Sequence, residues 1–207
     1  MFDAEMSERE QIEALGKWWS NYGKYLLYAV IIGVLLGSGW KYWQNMQLRY
    51  NENASVIYQS VYTLNEEKKF ADAKRGAELL IQKFPKTPYA SLGALMLAKD
   101  AVSANHLSEA LMHLQWVIDH SKLPRLRQVA RIDAARILLS DGKTAQATTL
   151  LSVVDDKSFL PMVNWVRGDI AMKMKDVKTA RENYVAAKTA LSDMPQAQAV
   201  LTQLSAN

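Results

Sequence analysis

Residues 25–40 read YLLYAVIIGVLLGSGW, and no charged side chain falls between Lys24 and Lys41. This run of 16 residues covers roughly 24 Å as an α-helix at 1.5 Å per residue. A bilayer core is about 30 Å thick and calls for about 20 residues. The flanks supply the missing length. Trp18, Trp19 and Tyr22 precede the run, and Trp40, Tyr42 and Trp43 close it. Amphipathic aromatics at both ends suit the two membrane–water interfaces. Lys24 and Lys41 can carry their charges out to the headgroups on flexible stems. The stretch Gly23 to Trp43 is therefore expected to be a single membrane-spanning helix. Residues 1–22 then lie on one side and residues 44–207 on the other.

Within the span, Gly33 and Gly37 form a G-x-x-x-G step that Ala29 extends at the same spacing. Small residues four apart let a second helix approach closely, which points to a membrane partner. Glycine is also common in membrane helices without a partner, and both readings stand. No charged group lies inside the span, which argues against proton relay or ion transport by this helix.

The tail carries Arg9, Lys17 and Lys24 against five carboxylates, a net −2 for residues 1–24. A cleaved signal peptide wants a short basic leader instead. Gly37 and Gly39 do resemble the small-residue pair of a cleavage site. Cleavage there, however, would strand Trp40, Tyr42 and Trp43 at a free amino terminus. Ser7 and Glu10 make an S-x-x-E capping box that predicts a short helix. Ile12, Leu15 and Trp19 share one of its faces, which suits either a membrane-surface helix or a weakly ordered tail. Three basic residues before the span against Lys41 and Arg49 after it lean towards a cytoplasmic amino terminus.

The chain of 207 residues has a net charge of +4 and no cysteine. Disulfides and thiolate chemistry are excluded. Residues 25–207 carry the balancing +6, too mild and too dispersed for a nucleic-acid face. The 164 residues after the span are ample for one hydrophobic core.

Those residues read as helix after helix, with an internal repeat. Alanine recurs after a polar turn at Ala73, Ala110, Ala147 and Ala180, with spacings of 37, 37 and 33. The turns are Lys69–Asp72, Asn105–Ser108, Gly142–Ala145 and Asp176–Thr179. One helical turn further on come Ala77, Leu114, Leu151 and Tyr184. Twelve residues upstream of each alanine come Val61, Ala98, Ala135 and Gly168, where a first helix has to pass close to a second. This is the pattern of a tetratricopeptide-like solenoid of helix pairs. The fold class is all-α, with a single transmembrane helix followed by that solenoid. The repeats are expected at about 54–86, 88–122, 124–157 and 160–192, with a terminal helix at 195–205 covering the last apolar face. Thr87-Pro88 predicts an N-cap and a first-turn proline. Gly142 and Asp176 predict a helix stop and a helix start.

Chemistry is sparse. His106, His113 and His120 stand seven apart, about 10.5 Å along a helix, too far to share one zinc. They read as surface or groove histidines. No phosphate loop, nucleophile elbow or H-E-x-x-H occurs. Asp155-Asp156 suits a loop or cap better than an acid/base dyad. Trp116 and Trp165 read as core. Arg125, Arg127, Arg131 and Arg136 gather on one predicted helix, either as a patch for an acidic partner or as a solvated face. No catalytic, cofactor or metal residue emerges, and the expected protein is not an enzyme and has no cofactor.

EALGKWWSNYGK at 13–24 and GWKYW at 39–43 resemble the start of the YfgM family, ancillary subunits of the bacterial Sec translocon. The resemblance runs the length of the chain and is most specific over residues 11–43. It implies a single-pass inner-membrane protein with a cytoplasmic amino terminus and a periplasmic repeat domain. It also implies association with the SecYEG translocon and with a PpiD-like periplasmic chaperone, and a role in handling emerging polypeptides. Trp18, Trp19, Lys24, Trp40, Lys41, Tyr42 and Trp43 would meet membrane lipid at the interfaces, and Ala29, Gly33 and Gly37 would contact a membrane helix. Several consensus aromatic positions hold alanine or leucine, so the groove specificity of relatives does not transfer. A repeat scaffold for another envelope process, such as outer-membrane assembly or division, is the alternative.

Overall fold

The computed structural model describes residues 8–192. Ser7 of the capping box and the terminal helix expected at 195–205 lie outside them. The helices are α1 (Glu8–Glu66), α2 (Phe70–Lys83), α3 (Pro88–Ser103), α4 (Leu107–His120), α5 (Pro124–Ser140), α6 (Thr144–Ser152), α7 (Leu160–Lys173) and α8 (Val177–Ser192), with a 3-10 turn at Lys157–Phe159 before α7. No strand occurs among the described residues. The chain divides into two compact units after Tyr50.

In the first unit α1 is already helical at Glu8 and stays so. The separate short tail helix expected from the sequence does not exist. Nothing in residues 8–24 stops a helix, since single glycines such as Gly16 and Gly23 cost only about 1 kcal/mol each. α1 is the one helix among the described residues long and apolar enough to cross a membrane, and little of its apolar stretch is buried in protein.

In the second unit each helix packs on its chain neighbours: α2 on α3, α3 on α4, α4 on α5, α5 on α6, and α7 on both α6 and α8. The four repeat alanines, Ala73, Ala110, Ala147 and Ala180, are all buried to within 1%. Val61, Ala98 and Ala135 are buried as well, and so is Gly168. Small side chains at these crossings let helix axes approach to about 8 Å, the near end of the usual range. Leu80, Leu114 and Leu151 fill the space beside them, each worth about 1.5–3 kcal/mol of burial.

The register extends to the backbone of the turns. Lys68, Asn105, Gly142 and Lys175 all take left-handed conformations, with φ of 59°, 59°, 75° and 62°. Each stands five residues before a repeat alanine. The amides that follow them reach back to close the preceding helix: Lys69 to Leu64, His106 to Ala101, Lys143 to Leu138 and Asp176 to Ala171, at 2.8–2.9 Å. This is the Schellman closure, used four times. Each repeat alanine then donates an amide bond to the carbonyl four residues before it, at the start of the next helix. Thr87 caps α3 by accepting from the Ala90 amide at 3.4 Å, and Asp176 caps α8 by accepting from the Thr179 amide at 3.1 Å.

A left-handed lysine costs roughly 1 kcal/mol that glycine avoids, partly offset by glycine's freer unfolded chain. Lys68→Gly and Lys175→Gly should therefore each raise the melting temperature, by about 1–3 °C for a domain of this size. Gly142→Ala should lower it by a similar amount, and thermal melts of the three variants check both signs.

Candidate interaction groove

The first helices of the successive pairs touch each other, α3 against α5 and α5 against α7. No comparable contact joins α4 to α6 or α6 to α8. The spacing is thus tighter on the first-helix side, and that side forms the inner face of the stack, the surface that solenoids use for binding.

Between α3 and α5 this face opens into a groove of about 430 Å³. Ala98, Leu114 and Ile137 form its buried floor, and Leu95 and Val129 its half-buried walls. Val102, Lys99, Asp133 and Arg136 stand at its rim. Arg136 Nη1 lies 3.6 Å from Asp133 Oδ1. Burial raises the Asp133 carboxyl above its ordinary value, and the Arg136 charge opposes that only in part. A second hollow of about 610 Å³ lies on the other side of Lys99, walled by Asn65, Phe70 and Lys74. There Lys74 Nζ reaches Glu109 Oε1 at 2.8 Å, linking α2 to α4 by an exposed pair that solvent screens.

The predicted membrane residues are placed by α1 alone. Trp18, Trp19, Trp40, Tyr42 and Trp43 are exposed, as are Lys24, Lys41 and Ala29. Trp18 and Tyr22 pair at 6.1 Å, Trp40 and Trp43 at 5.5 Å, and Lys24 Nζ lies 5.2 Å from the Tyr25 ring centre. A Cβ added at Gly33 or Gly37 would meet nothing within 4 Å, so that face is open.

Several predicted residues belong elsewhere. Of the arginines on α5, Arg125 and Arg136 are exposed, whereas Arg127 and Arg131 are neither a free patch nor a solvated face. Arg127 Nε and Arg131 Nε bind the two oxygens of Asp155 at 3.0 and 2.7 Å, and Arg127 Nη1 donates to the Ser121 carbonyl at 3.0 Å. The Asp155 amide donates to Oε1 of the buried Gln128 at 2.7 Å. Asp156 accepts from the Ser158 amide at 2.9 Å and caps the 3-10 turn. The paired aspartates thus fasten the α6–α7 connection to α5. His113 is buried instead of lying on a surface or in a groove. Burial lowers its pKa, and Glu109, 3.9 Å away, opposes that. His120 stacks on Trp116 at 4.7 Å.

Trp116 is partly buried in the core. Trp165 is not core. It is 36% exposed on α7, with one side against Tyr184 at 5.3 Å. Its place was legible from register alone, because Trp165 is the repeat equivalent of Leu95, which walls the groove.

The profile of the tetratricopeptide repeat-like domain family matches residues 16–206. The chain belongs to this family. Among curated relatives, this tetratricopeptide repeat-like protein is similar to the ancillary SecYEG translocon subunit of Escherichia coli K12. The two are 29% identical over 195 residues, covering 92% of this chain and 94% of the relative. The proteins of the same name from Haemophilus influenzae and Neisseria gonorrhoeae are 27% and 25% identical. Those matches cover 92% and 93% of this chain, and 93% and 91% of the relatives. The resemblance first carried by residues 13–24 and 39–43 thus extends over nearly the whole repeat-like chain. No solved structure matches it.

Proposed function

We propose that this protein is a non-enzymatic interaction scaffold of the bacterial inner membrane, held beside the Sec translocon by its apolar helix. In this reading residues 23–43 span the bilayer and residues 1–22 are cytoplasmic. The repeats at 54–86, 88–122, 124–157 and 160–192 stand in the periplasm. The aromatic and lysine anchors rest at the lipid interfaces, and Ala29, Gly33 and Gly37 face a membrane helix of the translocon. The inner face of the repeats contacts emerging polypeptides and works with a PpiD-like periplasmic chaperone. The supporting observation is the combination in one chain of an apolar helix and an open inner face, on a protein similar along nine-tenths of its length to ancillary translocon subunits. Tethering raises the effective concentration of the groove for chains leaving the channel, so weak contacts suffice.

The test is photo-crosslinking in intact membranes from reactive residues at Val102, Val129 and Trp165, with Gln115 on α4 as an outer-face control. Adducts to secretory chains in transit should form from the first three and be several-fold weaker from Gln115. Affinity purification of the full chain should retain translocon subunits that a chain starting at Gln44 loses. Adducts distributed equally over both faces, or retention of no translocon subunit, would end this reading.

A further inference from the structure

The connections between successive helix pairs gather on one edge of the second unit. Ala54, close to the start of that unit at Asn51, packs with Leu80 and Ala90, on either side of the α2–α3 turn. Tyr58 meets Tyr89 at 5.7 Å, and Trp116 joins the same cluster from α4. His120 stacks on Trp116 at the end of α4. Arg125 and Arg127, at the start of α5, lie 3.6 and 3.0 Å from Asp156 and Asp155 of the α6–α7 connection. The start of the unit and these three connections therefore form one continuous edge.

This edge is basic. Residues 51–54, 82–89, 119–127 and 152–161 hold six cations against four carboxylates. The seven residues before each repeat alanine, which make the turns at the other ends of the helices, hold six of each. Three of the four edge carboxylates are engaged. Asp155 is bound by Arg127 and Arg131, Asp156 accepts from Ser158 and lies beside Arg125, and Asp119 accepts from the side-chain amide of Gln115. Glu52 is the fourth. Against it stand Lys86, Lys122 and Lys157, 36 and 35 residues apart, one in each connection. All three are exposed, and none forms an ion pair among the described residues. Leu123 and Val153 lie on the same edge, both 46% exposed. Cations interleaved with exposed aliphatic side chains suit the boundary between lipid headgroups and acyl chains.

The tether enters at this edge. Asn51 follows Trp43 by eight residues, a contour of at most about 28 Å. The opposite edge is farther by the length of a helix, about 24 Å for the 16 residues of α3.

We infer that this edge docks on an anionic lipid surface, with Lys86, Lys122 and Lys157 at the phosphates and Leu123 and Val153 between the headgroups. This rests on the reading of residues 23–43 as a membrane span. Each cation at such a surface raises the ratio of docked to undocked repeat unit by about fivefold. Docking limits the tilt of the repeat unit and holds its inner face at a set height over the bilayer.

The chain has no cysteine, so single fluorophores can be placed on the full chain in lipid nanodiscs. Gln82→Cys and Ser152→Cys label the basic edge, Ser108→Cys and Gln146→Cys the opposite one, and Gln44→Cys the end of the span. Quenching by lipid with a nitroxide on its headgroup reads proximity. Adding phosphatidylglycerol to phosphatidylcholine discs should quench the two basic-edge labels several-fold more and leave the opposite pair unchanged. Lys86→Gln with Lys122→Gln and Lys157→Gln should lower the docked ratio by about 100-fold and abolish that gain, whereas arginine at the same three positions should keep it. The gain should shrink at 0.5 M salt, where the screening length falls to roughly 4 Å. The three side chains are exposed and unpaired, so the glutamine variant should melt as the wild type does. Basic-edge quenching that ignores lipid charge, or that survives the three glutamines, overturns the inference. Shielding of these labels only when purified translocon shares the disc marks a protein surface and overturns it too. The Gln44→Cys label should be quenched in both lipids. If it is not, the span itself fails; if it is and the basic edge stays unquenched, only the docking fails.

Discussion

Asp155→Ala is expected to destabilise the repeat domain by about 2–3 kcal/mol. The substitution leaves Arg127 and Arg131 without their shared anion, at side-chain exposures of only 25% and 16%. Breaking a fully buried pair in this way costs about 3–5 kcal/mol. The residual solvent access of both guanidiniums reduces that. Some of the loss is also local, because Asp155 is what fastens the α6–α7 connection over α5. Hydrogen exchange should therefore quicken first in α6 and at the start of α7, while α3 and α4 keep their protection. The melting temperature should fall by about 4–10 °C.

The same pair sets an acid limit. Burial by itself raises the Asp155 carboxyl, but the hydrogen bonds and charges of Arg131 and Arg127 outweigh it and hold the group below its ordinary value. A carboxylate depressed in the folded state contributes stability above its unfolded pKa of about 4. That contribution disappears as pH falls through the lower folded value. Melts of the wild type should decline below about pH 4 in part through this group. Asp155→Asn should be destabilised at neutral pH and show a shallower decline with acid. An Asp155→Asn chain with the acid profile of the wild type would remove this group from the explanation.

Gly168→Ala is expected to cost a net of about 1 kcal/mol, although alanine is the better helix former by about 1 kcal/mol. A Cβ at this position would lie 2.5 Å from Tyr184 Cε1, with two further ring atoms closer than 3.0 Å. The ring cannot swing aside cheaply. Its hydroxyl donates to Asp169 Oδ1 at 2.7 Å, and its face meets Trp165. Burial and the Asp169 carboxylate together push the Tyr184 hydroxyl up to about 12, so it stays protonated and keeps this bond across the neutral range. Forcing extra volume into such a contact costs about 1–3 kcal/mol, which exceeds the propensity gain.

The control is Gly33→Ala, where a Cβ meets open space and the repeat domain should melt unchanged. Replacing the ring as well, in Gly168→Ala with Tyr184→Leu, should recover part of the loss. If the single and double variants melt alike, the ring contact is not the cause.

Trp165 and Gly168 lie one turn apart on α7, and they mark what was and was not legible beforehand. The four alanines, the small residues twelve places upstream and the turns between them report packing period, and packing period is local information repeated. Among the described residues these alanines and small residues fall at buried helix crossings. The left-handed turns were half visible. Asn105 and Gly142 are residues that favour such turns, whereas Lys68 and Lys175 are not. There the Schellman closure and the burial of the following alanine impose the conformation on an unfavourable side chain. The residues that line the groove were not legible, because its walls come from helices 37 residues apart. The pattern of one helix does not say which of its faces a neighbour leaves uncovered.

What the sequence determined by itself is the periodic part: an apolar helix with aromatic ends and a stack of paired helices held by small residues at fixed spacing. These follow from side-chain size and polarity read along one chain direction. Only the tertiary structure decided which charges are used up inside the protein and which remain at a surface. Arg127 and Arg131 look no different in sequence from Lys99 and Arg136. The α6–α7 connection happens to bring Asp155 to the first pair, whereas the carboxylates near Lys99 and Arg136 are Asp100 and Asp133 of their own helices. Ion pairing depends on distances of a few ångströms between segments far apart in the chain, and those distances exist only once the helices have packed.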